Sequence, residues 1–434
     1  MLVLQKYGGS SVADLDRIRA CADRCVATAK AGNDLVVVVS AMKGETNRLI
    51  ALANALVEHA PDEAERGPYV TAARRSVEHD RELDQLVATG EKVSAALLAM
   101  AIGDRGGRAV SLVGHQLGMK TDRSFTRAKI TDISEQRIRT ELADGKVVVC
   151  AGFQGIDDRG DITTLGRGGS DTSAVALAAA LDADVCEILT DVDGVYTTDP
   201  RIVPRARKVA AMSYDEMLEL ASLGAKVLQI RSVAFAKKYG VRVHVRSSLH
   251  EGPGTMIVAP EEVARIRKEN GTPAMEAIEV SGVALQRDEA KVTLVGVPDV
   301  PGVIAEVFGA LGSAGVSVDM ILQNASRNAR TDITFTVAEA DLDAATKVLE
   351  GLHPGGEALT LETDRSIAKI SVVGLGLRSH AEVAAKAFEV LAADNVNVQM
   401  VSNSELKMSV VVHERYGELA LRSLHSAFGL DAPD

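Results

Sequence analysis

Over roughly the first 248 residues, short apolar runs alternate with helical stretches. Residues 35–39 (Leu-Val-Val-Val-Val) and 146–150 (Lys-Val-Val-Val-Cys) are rich in β-branched side chains, and helical patterns cover residues 93–102 and 172–181. Runs that are apolar at nearly every position fit strands buried on both faces of a parallel sheet. The alternation therefore predicts an α/β domain with a mostly parallel sheet between two helical layers.

Two glycine-rich turns lie where strands give way to helices. Residues 6–11 read Lys-Tyr-Gly-Gly-Ser-Ser, and residues 163–173 read Thr-Thr-Leu-Gly-Arg-Gly-Gly-Ser-Asp-Thr-Ser. Glycine lets the backbone approach a ligand closely, and the free N–H groups that begin a helix attract anions. Ser10 and Ser11 are expected to cap the first helix, and Ser170 or Asp171 the second. With their Lys and Arg side chains, the turns predict two anionic groups held close together beyond the carboxyl ends of the strands.

Each of these motifs also has a purely structural explanation. Gly-Gly turns are common, and the chain has neither a P-loop nor a Gly-x-Gly-x-x-Gly fingerprint. Residues 190–201 (Thr-Asp-Val-Asp-Gly-Val-Tyr-Thr-Thr-Asp-Pro-Arg) would suit a hairpin built on Asp-Gly, yet they are more polar than such a turn requires. Glu91 at the start of a helix would interact favourably with the helix dipole, and this alone would explain an acidic residue there.

The second half of the chain has a different organisation. Residues 251–276 are predicted to be a linker with a short solvated helix, because Pro and Gly flank a charged stretch. An internal repeat of roughly 80 residues follows, with Asp319-Met320 in the first copy matching Gln399-Met400 in the second. The first copy predicts a βαββαβ unit. The second copy ends on its helix, so residues 277–289 are expected to supply its missing strand.

Composition argues against several classes of partner. The formal net charge is −12, from 48 basic and 60 acidic residues, and no basic run stands out, which disfavours nucleic acid and anionic membranes. No stretch reaches the roughly 18 uncharged apolar residues of a membrane helix, and the N-terminus lacks an export pattern. The four cysteines have no metal-ligand spacing, so no protein metal site is predicted. These features predict a reduced, cytoplasmic protein.

Taken together, the motifs resemble the aspartate kinases of the amino-acid-kinase family over essentially the whole chain. The match runs through residues 6–11, 39–42, 89–91, 152–155, 165–172, 190–201 and 224–228, and the repeat is similar to a pair of ACT domains. Ser10 stands where the family more often has Thr, and the hydroxyl is retained. The resemblance implies an αβα catalytic domain at residues 1–250 and ferredoxin-like βαββαβ ACT domains at 290–364 and 365–434.

The resemblance also implies a reaction and a set of residue roles. ATP, with Mg²⁺, would phosphorylate the side-chain carboxylate of L-aspartate to 4-phospho-L-aspartate, the first step towards lysine, threonine and methionine. Lys6 and Asp171 would be catalytic. Aspartate would be bound by Thr46, Glu91, Arg167, Gly168, Gly169 and Ser170. The nucleotide would contact Lys6, Gly8, Gly9, Ser10, Thr190, Asp191, Tyr196, Asp199, Arg201 and Lys226. An effector would contact Asp299, Gly302, Asp319, Met320, Gln323 and Asn324.

The expected partners are lysine and/or threonine as effectors and further copies of the chain, joined through the ACT domains. Internal Met256 and Met275 would permit a separately translated regulatory subunit. Two alternatives remain open at this point. One is a sister enzyme that phosphorylates glutamate, acetylglutamate or uridylate, and the other is a non-catalytic amino-acid sensor.

Overall fold

A computed structural model describes residues 1–58, 77–223, 227–269, 279–325, 328–356 and 358–431. The first part of the chain contains, in order, β1 (Leu2–Tyr7), α1 (Leu15–Lys30), β2 (Asp34–Val39), α2 (Glu45–Glu58), α3 (Val77–Val87), α4 (Thr89–Asp104), β3 (Ala109–Leu112), β4 (Met119–Thr121), β5 (Ile130–Ile133), α5 (Gln136–Ala143), β6 (Val147–Ala151), β7 (Gln154–Ile156), β8 (Ile162–Thr164), α6 (Gly169–Leu181), β9 (Val185–Thr190), β10 (Ala211–Ser213), α7 (Tyr214–Ser222), α8 (Ile230–Tyr239), β11 (Val243–Ser247), β12 (Thr255–Val258) and α9 (Pro260–Glu269).

Eight of these strands form the central sheet, in the order β10-β12-β11-β9-β1-β2-β6-β3. Every neighbouring pair is parallel except β11 and β12. Successive side chains of a strand point to opposite faces, so each face carries its own set of apolar residues. Val37, Val39 and their neighbours pack with α1 and α4, whereas α6 contacts β1, β2 and β9. The three-layer arrangement predicted from the alternating pattern is confirmed.

A smaller sheet, in the order β5-β4-β7-β8, carries the segment that leads into α6. Its strand β8 ends at Thr164, and Leu165 is held by a hydrogen bond from its N–H to the carbonyl of Phe153. The second glycine turn therefore starts from a strand whose position is set by β7.

The stretch Val77–Asp104 is long and apolar enough to cross a membrane by length and composition alone. It consists of α3 and α4, and α4 packs on α1 and on the central sheet. Ala95, Leu98 and Ile102 are fully buried there. These contacts are those of a core helix in a globular domain.

The second part of the chain contains β13 (Glu279–Gln286), β14 (Glu289–Pro298), α10 (Val303–Ser313), β15 (Val318–Gln323), β16 (Arg330–Ala338), α11 (Leu342–Glu350), β17 (Thr360–Asp364), β18 (Ile367–Leu375), α12 (Ala381–Ala393), β19 (Val398–Asn403), β20 (Lys407–His413) and α13 (Gly417–Ala427). They form two four-stranded antiparallel sheets, in the orders β15-β16-β14-β17 and β13-β18-β20-β19. The strand β13 precedes the first sheet in sequence but pairs with β18 of the second.

The predicted linker at residues 251–276 is wrong over its described part. Strand β12 lies in the central sheet between β10 and β11, and α9 packs against that edge through Val263, which is 2% exposed. Most of the charged residues that suggested a solvated segment are exposed on α9, but Arg267 faces the sheet and donates to the carbonyl of Ala211 in β10. The boundary of the catalytic domain at residue 250 is therefore too early.

The chain divides into two compact units, and the division does not follow sequence order. The first unit comprises Met1–Val195, Lys208–Ala221 and Lys226–Pro273, and the second contains Tyr196–Arg207, Ser222–Ala225 and Ala274–Asp434. The segment Tyr196–Arg207 thus departs from the predicted continuous domain 1–250. It is held in the second unit because Val203 packs in the core of β18, β20 and their helices.

Candidate active site

A cavity of about 410 Å³ opens at the carboxyl ends of β1, β2 and β6 in the first unit. It is lined by Lys6, Gly9, Ser10, Ser40, Ala41, Met42, Lys43, Gly44, Thr46, Asn47, Glu91, Phe153, Gly166, Arg167, Gly168, Gly169, Ser170 and Asp171. Both glycine turns face it. Ligands of open parallel sheets lie at this edge because strand ends and helix starts meet there.

The first turn follows β1 directly and approaches the loop that follows β2. A Cβ atom on Gly9 would lie 2.9 Å from the carbonyl oxygen of Ala41, so only glycine lets the two segments come this close. The predicted capping of α1 by Ser10 and Ser11 is wrong. The helix begins at Leu15, and its cap is Asp14, whose side chain accepts a hydrogen bond from the N–H of Arg17 at 2.9 Å. Ser11 instead donates to the carbonyl of Leu189 and to Ser248.

The second turn enters α6 through a left-handed residue. Gly168 is the cap, with φ 71° and ψ 14°, and a Cβ atom there would lie 1.9 Å from Cγ of Gln229. The prediction that Ser170 or Asp171 caps α6 is therefore wrong, because the helix has already begun at Gly169. Both side chains lie in its first turn, where an acidic residue and an anionic ligand are each favoured by the helix dipole.

Lys6 and Asp171 form a shielded ion pair. The distance from Lys6 Nζ to Asp171 Oδ1 is 2.6 Å, and the two residues are 8% and 9% exposed. They come from the central strand β1 and from the first turn of α6, so the pair ties the two glycine turns together. A buried ammonium with a single carboxylate partner has a fixed position and keeps donors for a further anion.

Glu91, in the first turn of α4, is a buried carboxylate of a different kind. It is 3% exposed, and its Oε1 accepts a hydrogen bond from the N–H of Ala41 at 3.0 Å. Among the described residues, its other oxygen has no hydrogen-bond partner. Burial raises the pKa of Glu91 to about 7, and the hydrogen bond from Ala41 opposes that rise. Such a group favours a bound cation.

Arg167 supplies an accessible positive charge to the cavity. It is exposed, and no carboxylate of the described chain lies within ion-pair distance. Lys43 adds a further cation from the loop after β2, and Ser40 and Asn47 add polar groups. The sequence motifs do not single out Lys43, Asn47 or Phe153 as site residues. The signal available for Lys43 was its place directly after a buried strand, at the ligand-binding edge of the sheet.

Only some of the predicted nucleotide residues line the cavity. Gly8 donates its N–H to Leu189 of β9, and Thr190 bonds Asp191 through side chains at 3.2 Å. Gly8, Thr190 and Asp191 do not line the described cavity. Three others, Tyr196, Asp199 and Arg201, belong to the segment of the second unit, and Asp199 forms an ion pair with Arg201 at 2.7 Å. Lys226 lies outside the described residues.

The predicted effector residues belong to the first antiparallel sheet and its loops. Asp299 follows β14, Gly302 caps α10 with φ 102°, and Gln323 and Asn324 lie at the end of β15. Asp319 is engaged by the ammonium of Lys369 from β18, and Met320 packs with Met400. Two of the six are therefore occupied by contacts with the other repeat.

Comparisons with known proteins follow the same division. A model of the amino acid kinase family matches residues 1–247, and models of the ACT domain match residues 291–354 and 370–428. An aspartate kinase of Pseudomonas fluorescens is 51% identical over 432 residues, covering 100% of this chain and 98% of that protein. The chain belongs to the aspartate kinases of the amino acid kinase family. An aspartokinase of Helicobacter pylori is 46% identical over 99% of this chain and 100% of its own length.

A solved relative agrees with this aspartate kinase assignment. The structure of E. coli aspartokinase III in complex with aspartate and ADP has a TM-score of 0.75 and 27% identity, and the match covers 98% of this chain and 99% of that one. The same enzyme in complex with lysine and aspartate matches with a TM-score of 0.73. The predicted fold class, an amino acid kinase domain followed by two ACT domains, is confirmed.

Proposed function

We propose that this aspartate kinase transfers the γ-phosphoryl group of ATP to the side-chain carboxylate of L-aspartate and forms 4-phospho-L-aspartate. The observation that carries the proposal is the composition of the cavity. Three cations, Lys6, Lys43 and Arg167, share it with the buried carboxylate of Glu91. An anionic triphosphate and an amino acid with two carboxylates and one ammonium would satisfy all four.

In this proposal, the second glycine turn and α4 bind aspartate. Arg167 and the Ser170 hydroxyl would hold a carboxylate at the start of α6, and Glu91 would accept the ammonium group. The raised pKa of Glu91 supports this role, because a nearby cation stabilises a buried carboxylate. Further contacts would come from Thr46, Gly168 and Gly169.

The nucleotide phosphates would lie at the first glycine turn. Lys6 would neutralise the transferring phosphoryl group, and Asp171 would orient it across their 2.6 Å ion pair. Backbone N–H groups of Gly8 and Gly9 and the hydroxyl of Ser10 would bind phosphate oxygens. The remaining nucleotide contacts are assigned to Thr190, Asp191, Tyr196, Asp199, Arg201 and Lys226.

The chemistry requires positioning and charge neutralisation rather than a general base. The acceptor carboxylate has a pKa near 4 and is ionised at pH 7, so no proton has to be removed. One of its oxygens would bond to the γ-phosphorus, and the bond to the bridging oxygen would break with its electrons leaving on ADP. No three His, Cys, Asp or Glu side chains of the described chain are grouped as a metal site. Mg²⁺ would therefore be held mainly by the ATP phosphates, where it would neutralise their charge.

We assign the ACT domains to feedback control of this first step towards lysine, threonine and methionine. Lysine and/or threonine would bind near Asp299, Gly302, Asp319, Met320, Gln323 and Asn324, and ACT domains of further copies would complete a homo-oligomer. Kinetics with lysine, threonine and their mixture would identify the inhibitor. A regulatory subunit that starts at Met256 would begin inside β12 of the central sheet. Met275 lies outside the described residues.

The decisive experiment combines ATP turnover with chemical trapping. Purified protein, ATP and Mg²⁺ would be incubated with aspartate, glutamate, acetylglutamate or uridylate, and hydroxylamine would convert an acyl phosphate to a hydroxamate. We expect ADP and hydroxamate in equal amounts with aspartate alone. Turnover with another acceptor would identify a sister enzyme, and the absence of turnover with all four would contradict the kinase proposal.

A further inference from the structure

Asp84 is a completely buried carboxylate outside the cavity. It lies on α3, is 0% exposed and accepts three hydrogen bonds. Its Oδ2 receives the N–H groups of Thr164 at 2.7 Å and Thr126 at 2.9 Å, and its Oδ1 receives the Thr164 hydroxyl at 2.6 Å. No cationic side chain of the described chain forms an ion pair with it. Its partners are the backbone and hydroxyl donors of Thr164, at the end of β8, and the backbone N–H of Thr126, in the loop between β4 and β5.

Both of these segments, the end of β8 and the loop between β4 and β5, adjoin the turn that carries Arg167. Thr164 is the last residue of β8, three positions before that arginine, and its carbonyl accepts the N–H of Ala128 at 2.8 Å. Thr126 has φ 67°, a left-handed conformation that is costly for a residue other than glycine. A Cβ atom on Gly166 would lie 3.0 Å from the carbonyl oxygen of Thr126, so the two loops touch. Asp84 fixes both at this contact.

A partly buried arginine also holds this turn. Arg231 of α8 donates to the carbonyl of Leu165 and to that of Ala128, each at 2.9 Å. The backbone immediately before Gly166 is therefore bonded at the N–H and carbonyl of both Thr164 and Leu165. Arg167 follows two residues later with no ion pair of its own among the described residues. These bonds therefore fix the backbone from which the Arg167 side chain extends.

We propose that Asp84 is a positioning residue for substrate binding, which it supports by setting the turn that presents Arg167 to a carboxylate of the acceptor. The inference rests on the proposed role of Arg167 in binding aspartate. A carboxylate suits the position because it accepts at both oxygens. An amide has only one acceptor oxygen for the two N–H groups, so its NH2 group would face the Thr164 hydroxyl and the hydroxyl proton would lose its acceptor. A buried donor without an acceptor is energetically unfavourable, so we expect the turn to move until the donor finds another partner.

The test uses steady-state kinetics of the full chain with two substrates. We expect Asp84→Asn to raise the KM for aspartate about tenfold or more and to change the KM for ATP less than about twofold. Thr164→Val, which removes only the hydroxyl donor, should raise the aspartate KM by a smaller factor. In the double variant, Thr164→Val should add little to Asp84→Asn, because its partner oxygen is already lost. Glu78→Gln, an exposed carboxylate of the same helix, is the matched control and should change neither constant.

Arg167→Ala, measured in the same assay, tests the role of Arg167 in binding aspartate separately from the positioning role of Asp84. If Arg167→Ala leaves the aspartate KM unchanged, the proposed role of Arg167 fails and this inference fails with it. If Arg167→Ala raises that KM but folded Asp84→Asn and Thr164→Val do not, only the positioning role of Asp84 is overturned. Equal rises in the KM for aspartate and for ATP would also overturn it. Should Asp84→Asn not fold, Thr164→Val carries the test, because it keeps the backbone bonds to Asp84.

Discussion

The charged residues of the cavity differ mainly in how far their neighbours compensate them. Lys6 and Asp171 neutralise each other at 2.6 Å, whereas the Glu91 carboxylate is buried beside one backbone N–H. A buried charge is costly unless it is paired or hydrogen-bonded. The Lys6 pair therefore contributes a rigid positive group, and Glu91 stores unfavourable free energy that a bound cation would relieve.

Replacing Lys6 by Ala removes one preorganised positive charge from the proposed phosphoryl site. We expect kcat to fall by about 10²–10³, in line with the loss of a single transition-state stabiliser. Stopped-time ADP assays at saturating aspartate and ATP would measure it. Lys30→Ala, an exposed residue at the end of α1, is the control. Turnover of Lys6→Ala close to the unmodified rate would rule out the assignment.

Replacing Glu91 by Gln should stabilise the protein without substrate. The raised pKa means that the folded state disfavours the charged carboxylate, so wild type loses stability as pH rises from about 4.5 to about 7. Glu91→Gln keeps the hydrogen bond from Ala41 and does not titrate. At pH 8 its free energy of unfolding should exceed that of wild type by up to about 3–4 kcal/mol, because the pKa rises from 4.5 to about 7 and each pKa unit corresponds to about 1.4 kcal/mol. At pH 4 the difference should vanish, and denaturant unfolding at both pH values measures this.

The same carboxyl predicts a pH dependence of substrate binding. Below pH of about 7 the free protein has a largely protonated Glu91, which cannot pair with an ammonium group. The KM for aspartate should therefore rise as pH falls from 8 to 6, while the KM for ATP changes less. A flat aspartate KM over that range, measured with the same buffers and ionic strength, would argue against the role of Glu91.

At the scale of elements, the two ACT repeats exchange equivalent contacts. Lys291 on β14 and Lys369 on β18 occupy the same position of the repeat, as do Asp319 and Gln399. The ammonium of Lys369 bonds Asp319, and that of Lys291 bonds Gln399. Met320 and Met400 pack together between them with Ile367 and Val411. The two contacts differ in charge, because one acceptor is a carboxylate and the other is an amide.

The charged contact is the more buried of the two. Lys369 is 2% exposed and bonds Glu289 as well as Asp319. Burial raises the pKa of Glu289, with Lys369 opposing the rise. Burial also raises the pKa of Asp319. The hydrogen bond and the charge of Lys369 lower it, however, and the net result is a pKa below the usual value. The ammonium thus favours the charged form of the buried Glu289 and of Asp319, whose side chain is 47% exposed.

Replacing Lys369 by Met should leave the buried carboxylate of Glu289 without its cation. Removal of one partner from a buried ionic cluster costs about 3–5 kcal/mol, so we expect a loss of that order in the free energy of unfolding at pH 7. Lys291→Met is the matched control, and it should cost less than about 1 kcal/mol because Lys291 bonds a neutral amide and its ion pair with Asp364, at 3.7 Å, is long and reaches a partly exposed carboxylate. Urea unfolding followed by circular dichroism would compare them. Equal losses in the two variants would contradict the special role of the charged contact.

At the scale of the whole molecule, the polypeptide passes between the two units within the catalytic part of the sequence. The segment Tyr196–Arg207 leaves after β9 and returns before β10, yet it belongs to the second unit. Thr197 bonds Nε2 of His425 through its hydroxyl at 2.9 Å, and Arg207 donates to the carbonyl of Leu430 at 3.0 Å. A segment with the predicted nucleotide residues is therefore built on the C-terminal ACT core.

His425 should make the second unit sensitive to acid. Burial lowers its pKa below 6.5, with the Asp431 carboxylate opposing this and the Arg207 guanidinium assisting it. The folded state thus favours neutral imidazole, so its contribution to stability is present above about pH 6.5 and is lost as pH falls through that value. His425→Gln, which can still bond Thr197, should show a smaller loss of thermal stability between pH 7 and pH 5 than wild type. Parallel losses in both proteins would contradict this.

Local patterns sufficed for the features that depend on residues near in sequence. Every-position apolar runs predicted buried parallel strands, and glycine turns with Lys6 and Arg167 located the cavity, because strand ends of one sheet share an edge. The two ACT repeats were also predictable, because the sequence of the second copy resembles that of the first. Long-range packing decided the rest. The bonds of Ser11 to Leu189 and Ser248, the contact of Gly168 with Gln229, the place of β12 in the central sheet and the transfer of residues 196–207 to the second unit all involve residues far apart in the chain. Burial of Glu91 and the partners of Asp84 have the same origin, since the polarity of a segment does not specify which surface will cover it.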